Sequence, residues 1–136
     1  MTAPKMILET ALYAPDLDAA EAFYGELLGL KKHSRLGNRH LFYRVGTSML
    51  LIFNPTETLK PPASPEIPVP PHGATGQGHI CFPATDEEIT VWKTKLSAAG
   101  RPIDADFTWP NRARSLYTRD PAGNSVEFAE AMLWAE

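Results

Sequence analysis

Three side chains that lie far apart in the sequence, Glu9, His79 and Glu127, are suited to holding a divalent metal ion. Each stands among apolar or small residues, where an ionisable group is costly unless it is paired or bound to metal. No local metal-binding motif spans such separations, so only the fold can bring the three together. A bound ion would act as a Lewis acid on the oxygen atoms of a substrate.

Each of the three residues also has a purely structural explanation. Glu9 could pair with an arginine of a neighbouring strand, His79 could be a core histidine beside Cys81, and Glu127 could be a solvated strand residue. A single histidine or glutamate in such a position is often not a metal ligand. Their placement within a repeated pattern is what favours the joint interpretation as a metal site.

The chain consists of two copies of one pattern, and each copy begins with a strand followed by a helix. Residues 7–13 and 78–82 are short apolar runs that predict strands, and a helical stripe follows each run and ends at a glycine. Glu9 lies seven residues before Asp16, and His79 lies seven residues before Asp86. The first strands of the two copies are therefore in register.

Three further strands complete each copy. Residues 39–44 resemble residues 114–119, and both segments run into a turn at a glycine. Counted from those glycines, Leu50 and Glu127 are equivalent positions in the final strands. The order predicts an α+β fold of two tandem βαβββ modules, which form a curved mixed sheet around a cleft.

A proline-rich segment separates the two modules. We predict modules over residues 1–54 and 78–136, joined by a linker over residues 55–77 within one compact domain. Residues 55–78 hold seven of the 13 prolines, which argues against a helix or a central strand there. The segment is a connector, or it also covers a site.

Three stretches resemble the vicinal-oxygen-chelate superfamily, which includes glyoxalase, fosfomycin-resistance thiol transferases, extradiol dioxygenases and bleomycin-binding proteins. They are ETALYAPDLDAAEAFYGELLGL at residues 9–30, GHICF at 78–82 and RSLYTRDPAGNSVEF at 114–128. The resemblance implies metal ligands on the first and last strands of each module, here Glu9, Leu50, His79 and Glu127. Because Leu50 cannot bind a metal, a site with three protein ligands and open positions is expected.

The resemblance implies a metal-dependent enzyme of lyase, isomerase or transferase type that chelates a small oxygenated substrate. Glu127 or Glu9 would act as the base in a glyoxalase-like isomerisation. One histidine and two carboxylates suit Mn²⁺, Mg²⁺, Zn²⁺ or Ni²⁺ better than iron, which disfavours an extradiol-type dioxygenase. The alternative is a metal-free protein that binds and sequesters a small molecule or an antibiotic, as bleomycin-resistance proteins do. The family also implies a homodimer in which Glu9 of one chain meets His79 and Glu127 of the other.

Seven further residues are candidates for lining the substrate pocket, although aromatic residues are often simply core. His72, in the proline-rich segment, could shuttle protons, and Arg114 could bind a carboxylate or phosphonate or form a surface salt bridge. The full set is Tyr13, Phe53, His72, Cys81, Trp109, Arg114 and Tyr117.

Composition narrows the class of protein and its partners. A hydrophobic content of 43% is typical of a globular protein, and the net charge of −3 offers no basic surface for nucleic acid. No apolar run approaches the roughly 20 residues of a membrane span. The single cysteine, Cys81, cannot form an internal disulfide, and the first residues lack a signal-peptide layout. We therefore expect a cytoplasmic protein.

Overall fold

The computed structural model describes residues 2–136, which form two four-stranded mixed sheets with flanking helices. These residues divide into two compact units, one ending at Gly76 and the other covering Gln77–Glu136. Each unit contains one sheet, and neither sheet closes into a barrel. The predicted α+β class with two βαβββ modules is confirmed.

In the sheet of the first unit, one edge strand runs parallel to its neighbour, and the other neighbouring strands are antiparallel. Its strands are β1 (Glu9–Tyr13), β2 (Lys31–Leu36), β3 (His40–Val45) and β4 (Ser48–Phe53), in the sheet order β1-β4-β3-β2. Its helices are α1 (Leu17–Glu21), a π-helix that continues it over Ala22–Leu27, and α2 (Pro55–Thr58). Only β1 and β4 run parallel to each other.

The second unit repeats this topology. Its elements are β5 (His79–Pro83), α3 (Asp86–Ala98), β6 (Ile103–Thr108), β7 (Arg114–Arg119), β8 (Ser125–Ala129) and a 3-10 helix over Ala131–Trp134. The sheet order is β5-β8-β7-β6, with β5 and β8 parallel. His79 thus begins the first strand of its unit, as Glu9 begins the first strand of the other.

Side-chain caps begin both longer helices. The Asp16 carboxylate accepts a hydrogen bond from the Ala19 amide at 3.1 Å, and Thr85 forms a reciprocal capping box with Glu88. Such caps typically stabilise a helix by about 1 kcal/mol. No helix in residues 2–136 is long and apolar enough to cross a membrane.

Successive side chains of a strand point to opposite faces of the sheet, so one set faces the helices and the other set faces away from them. In the second unit Leu116, Val126 and Phe128 are buried on the helix side. Trp92 of α3 stacks on Phe128, with 4.8 Å between ring centroids. Glu127, which lies between Val126 and Phe128, therefore points to the face away from α3, and we call this surface the Glu127 face.

The proline-rich segment contains one element that the sequence argued against. A single helical turn, α2, begins at Pro55, so the prediction that this segment forms no helix was wrong. Proline is tolerated in a first helical turn because its missing N–H would have no partner there anyway. The Asn54 side chain caps the turn by accepting from the Thr56 amide at 3.1 Å. Residues 59–77, all of them described, contain no helix or strand.

Candidate functional site

His79 and Glu127 lie on adjacent parallel strands, and their side chains meet on the Glu127 face. His79 Nε2 is 3.3 Å from Glu127 Oε1. Cys81 stands directly opposite Glu127 in the sheet, and His79 shares the face of Cys81 because it lies two residues away on the same strand. The Glu127 side chain is 6% exposed, whereas that of His79 is 50% exposed. The pair therefore joins an accessible imidazole to a buried carboxylate.

A serine holds each member of this pair. Ser125 Oγ lies 3.0 Å from His79 Nδ1, which leaves Nε2 as the ring nitrogen that faces Glu127. Ser115 donates its hydroxyl hydrogen to Glu127 Oε2 at 2.6 Å, and Trp109 Nε1 donates to Ser115 Oγ at 2.8 Å. Neither serine was predicted as a site residue. Alternation along β7 and β8, which puts them on the face of Glu127, is the signal that could have found them.

Aromatic rings line the same face beside the pair. Tyr117 stands opposite Glu127 on β7, and its ring stacks on those of His79 and Phe107, with centroids 6.2 Å and 6.0 Å away. Phe107 also contacts Trp109, with 4.7 Å between centroids. Three of the predicted pocket residues, Cys81, Trp109 and Tyr117, thus lie next to the pair, and Phe107 was not predicted.

The surroundings of Glu127 keep two neighbouring acids protonated. Burial raises the pKa of Cys81 to about 12, and the charge of Glu127 and a hydrogen bond with it add to the effect. Burial likewise raises the pKa of Tyr117 to about 12, again helped by a hydrogen bond with Glu127 and by its charge. At neutral pH both side chains are therefore neutral hydrogen-bonding groups, and Cys81 is not an activated thiolate.

Arg114 lies on the opposite face of the sheet. It precedes Ser115 in β7, and consecutive side chains of a strand point to opposite sides. Its guanidinium donates to Asp106 at 2.9 and 3.0 Å and to Asp86 at 3.0 Å. The structure does not bring Arg114 to His79 and Glu127: in place of the expected substrate contact it forms ion pairs that join β6, β7 and α3.

The other predicted pocket residues lie together in the first unit. Tyr13 Oη is 2.7 Å from His72 Nδ1, and the His72 ring meets Phe53 edge-on with 4.6 Å between centroids. These contacts attach the end of the proline-rich segment to β1 and β4. The role of His72 as a proton shuttle stays a prediction.

The strand register corrects one equivalence drawn from the sequence. Leu51 lies opposite Ala11 as Glu127 lies opposite Cys81, so Leu51 and not Leu50 is the counterpart of Glu127. Counting from the glycines was wrong because the two glycines are not equivalent: Leu51 lies five residues after Gly46, whereas Glu127 lies four residues after Gly123. Leu50 instead points to the helix side and is 1% exposed. Neither leucine can bind a metal, so this position of the first unit still offers no ligand.

The separation of the two facing atoms would allow both side chains to bind one metal ion. Atoms bound to the same ion at about 2.0–2.2 Å lie about 3 Å apart, close to the observed separation of His79 Nε2 and Glu127 Oε1. The contact between Ser125 and His79 Nδ1 is the kind that orients metal-binding histidines. Residues 2–136 contain no group of three or more His, Cys, Asp or Glu side chains arranged to hold a metal. Glu9 begins β1 and is exposed, and its participation stays a prediction.

Comparison with known proteins decides the family. The model of the Glyoxalase/Bleomycin resistance protein/Dioxygenase superfamily matches residues 6–128. The chain belongs to this superfamily. The resemblance noted in the sequence is thereby confirmed.

Several solved structures share the fold. A lactoylglutathione lyase from Agrobacterium tumefaciens is 47% identical over 99% of this chain and 100% of its own, with a TM-score of 0.92. An integron cassette protein from the mobile metagenome of the Halifax Harbour sewage outfall is 23% identical over 93% of this chain and 99% of its own, with a TM-score of 0.72. A glyoxalase/bleomycin resistance protein/dioxygenase from Nocardioides is 20% identical over 96% of this chain and 85% of its own, also with a TM-score of 0.72. A search of curated proteins gave no match.

Proposed function

We propose that this protein is a divalent-metal-dependent enzyme of the glyoxalase type, a lyase or isomerase that acts on a small substrate with adjacent oxygen atoms. The observation that carries the proposal is the contact between His79 Nε2 and Glu127 Oε1 at 3.3 Å. The similarity to a protein named lactoylglutathione lyase supports it. A cleft that only sequesters a ligand would have no need of this pair.

His79 and Glu127 would hold the ion, and Glu9 would complete the set. When bound, the ion would polarise the substrate oxygens as a Lewis acid. A set of two carboxylates and one imidazole suits Mn²⁺, Mg²⁺, Ni²⁺ or Zn²⁺. Ser125 would keep the His79 ring turned so that Nε2 stays available.

The carboxylates would also handle the substrate proton. Glu127, or Glu9, would accept the proton from one carbon of the substrate and return it to the neighbouring carbon. Tyr117 and Cys81 would not compete as bases, because both have a pKa of about 12 and are protonated at neutral pH. The rings of Tyr117, Phe107 and Trp109 would form an apolar wall that limits the access of water.

Metal analysis and turnover test this proposal together. Protein purified without an affinity tag should bind one divalent ion per site and convert the hemithioacetal of methylglyoxal and glutathione. His79→Ala and Glu127→Ala should each lower both metal affinity and turnover by about 100-fold or more, because each removes a ligand. Glu57→Gln is the matched control, since Glu57 pairs with Lys60 on the surface of the first unit.

A contrary result would support the metal-free binding protein. If no ion binds stoichiometrically and Glu127→Ala still binds small molecules as the parent does, the enzyme proposal fails. Turnover that persists after complete chelation of metal would exclude the metal-dependent mechanism in the same way.

We also propose a homodimer in which Glu9 acts across the subunit boundary. Two inactive variants, Glu9→Ala and Glu127→Ala, should then complement each other when they are unfolded, mixed and refolded. One of the two sites in each mixed dimer would have all three ligands, which gives about a quarter of the parent activity for random pairing in a two-fold dimer. Activity that stays at the level of the separate variants would show that Glu9 does not act in trans.

A further inference from the structure

We propose that Trp109 is a positioning residue for Glu127 and acts through Ser115; the consequence for metal binding rests on the proposed function. Trp109 Nε1 donates to Ser115 Oγ at 2.8 Å, and Ser115 Oγ donates to Glu127 Oε2 at 2.6 Å. These two hydrogen bonds, which we call the relay, thus link the turn between β6 and β7 to the carboxylate on β8. His79 faces the other oxygen, Oε1.

The chemistry of the three groups favours one direction for these hydrogen bonds. An indole N–H is a donor only, a carboxylate is an acceptor only, and a serine hydroxyl has one hydrogen. When Trp109 donates to Ser115, the hydroxyl hydrogen is directed to Glu127. Ser115 is 0% exposed, so the hydroxyl is shielded from solvent. Oε2 of Glu127 is therefore held by Ser115 while Oε1 faces His79, and Tyr117 and Cys81 also form hydrogen bonds with the carboxylate.

The position of Trp109 is itself fixed by the turn. Its amide donates to the Ala113 carbonyl and its carbonyl accepts from the Arg112 amide, both at 2.8 Å. The Asn111 side chain accepts from the Ala113 amide and also reaches the carbonyl of Leu133 at 3.2 Å. Backbone contacts on both sides thus hold the indole at the start of the relay.

A purely structural role and a positioning role predict different results. If Ser115 only satisfies a buried polar group, removing the indole N–H should change stability and leave metal affinity as it was. If the relay sets the orientation of Glu127, Trp109→Phe should weaken metal binding while the ring still packs on Phe107. Outer-shell partners of metal ligands typically contribute 10–100-fold in affinity.

The experiment compares Trp109→Phe, Ser115→Ala and the double variant by calorimetric titration of the folded protein with Ni²⁺. Each single variant should lose about tenfold or more in affinity. The double variant should lose no more affinity than Ser115→Ala alone, because both changes interrupt the same hydrogen-bond relay. Trp92→Phe is the matched control and should bind as the parent does, since Trp92 stacks on Phe128 on the helix side of the sheet. Parent-like affinity in Trp109→Phe, or additive losses in the double variant, would overturn the proposal.

A second measurement needs no metal and separates the relay from the proposed function. In ¹⁵N spectra of the metal-free protein, the indole N–H resonance of Trp109 should shift in Ser115→Ala and in Glu127→Gln, while that of Trp92 stays in place. If the parent binds no metal but these shifts occur, the relay stands and the proposed function fails. If Glu127→Gln leaves the Trp109 resonance unchanged, the relay fails whatever the metal titration shows.

Discussion

Cys81 and Glu127 stand directly opposite each other on the parallel strands β5 and β8, and the thiol is kept protonated. Burial is the larger cause of the raised pKa of about 12, and the negative carboxylate is the next. At pH 8 only about one Cys81 in ten thousand would be a thiolate. We expect slow alkylation by iodoacetamide, with a rate that rises with pH up to about 12.

Substitution of Glu127 tests whether its charge contributes to the raised pKa of Cys81. Glu127→Gln removes the negative charge, so the pKa of Cys81 should fall and alkylation at pH 8 should become faster. Glu57→Gln, in the first unit, should alkylate at the parent rate. Equal rates in the parent and in Glu127→Gln would mean that the carboxylate does not contribute to the raised pKa of Cys81.

The ion pair of Asp106 and Arg114 should make stability depend on acid pH. Hydrogen bonds from Arg114, and then from Lys93, lower the pKa of Asp106 from 3.8 to about 2. The stabilisation is therefore complete above about pH 4 and is lost as the pH falls toward about 2. The difference in free energy of unfolding between the parent and Asp106→Asn, measured by urea unfolding, should shrink over this window. A difference that is constant from pH 7 to pH 3 would contradict the assignment.

Gly25 in the π-helix and Tyr43 in β3 should be energetically coupled. A Cβ at position 25 would lie 2.9 Å from Tyr43 Oη, and that buried hydroxyl has no hydrogen-bond partner within residues 2–136. We expect Gly25→Ala to destabilise the fold by about 1–3 kcal/mol through overpacking. Tyr43→Phe should be neutral or stabilising by about 1 kcal/mol because it removes the unsatisfied hydroxyl.

The double variant Gly25→Ala/Tyr43→Phe tests the coupling. Without the hydroxyl the added methyl group would meet only ring carbons at 3.6 Å, which is ordinary contact. Most of the loss caused by Gly25→Ala should therefore be recovered in urea unfolding. Simple additivity of the two single changes would show that the contact does not limit the substitution.

Arg112, in the turn after Trp109, is the one non-glycine residue in residues 2–136 with positive φ, at 75°. A left-handed backbone costs a side-chain-bearing residue about 1–2 kcal/mol, and β-branched residues tolerate it least. Arg112→Gly should therefore be neutral or stabilising, whereas Arg112→Val should lower the melting temperature. Thermal unfolding of both variants checks this, and equal melting temperatures would contradict it.

The repeated pattern made much of the fold predictable. His79 and Glu9 were placed at the start of equivalent strands because their distance to the following helix is the same in both copies. The polarity of Glu127 between Val126 and Phe128 is a local signal that fits its position on the face away from the helices. Local periodicity and the repeat were therefore enough to predict the order of the elements.

Side-chain chemistry that depends on precise register was not predictable in the same way. The counterpart of Glu127 is Leu51 and not Leu50 because Leu51 lies five residues after its glycine and Glu127 only four, and a glycine count cannot detect such a difference. Arg114 was read from its charge alone, although its place next to Ser115 turns it toward α3. The relay through Ser115 joins residues of three segments, and no local pattern encodes those distances.

The equivalence of Leu51 and Glu127 makes each half of this chain an experimental control for the other. One backbone plan is present twice, once with a histidine and a carboxylate in contact and once with a glutamate and a leucine at the equivalent positions. Grafting histidine at Glu9 together with glutamate at Leu51 would ask whether the shared scaffold is enough to create a ligand pair. Further substitution of their neighbours, such as the residue equivalent to Ser115, would then measure how much the residues around the ligands contribute to metal affinity.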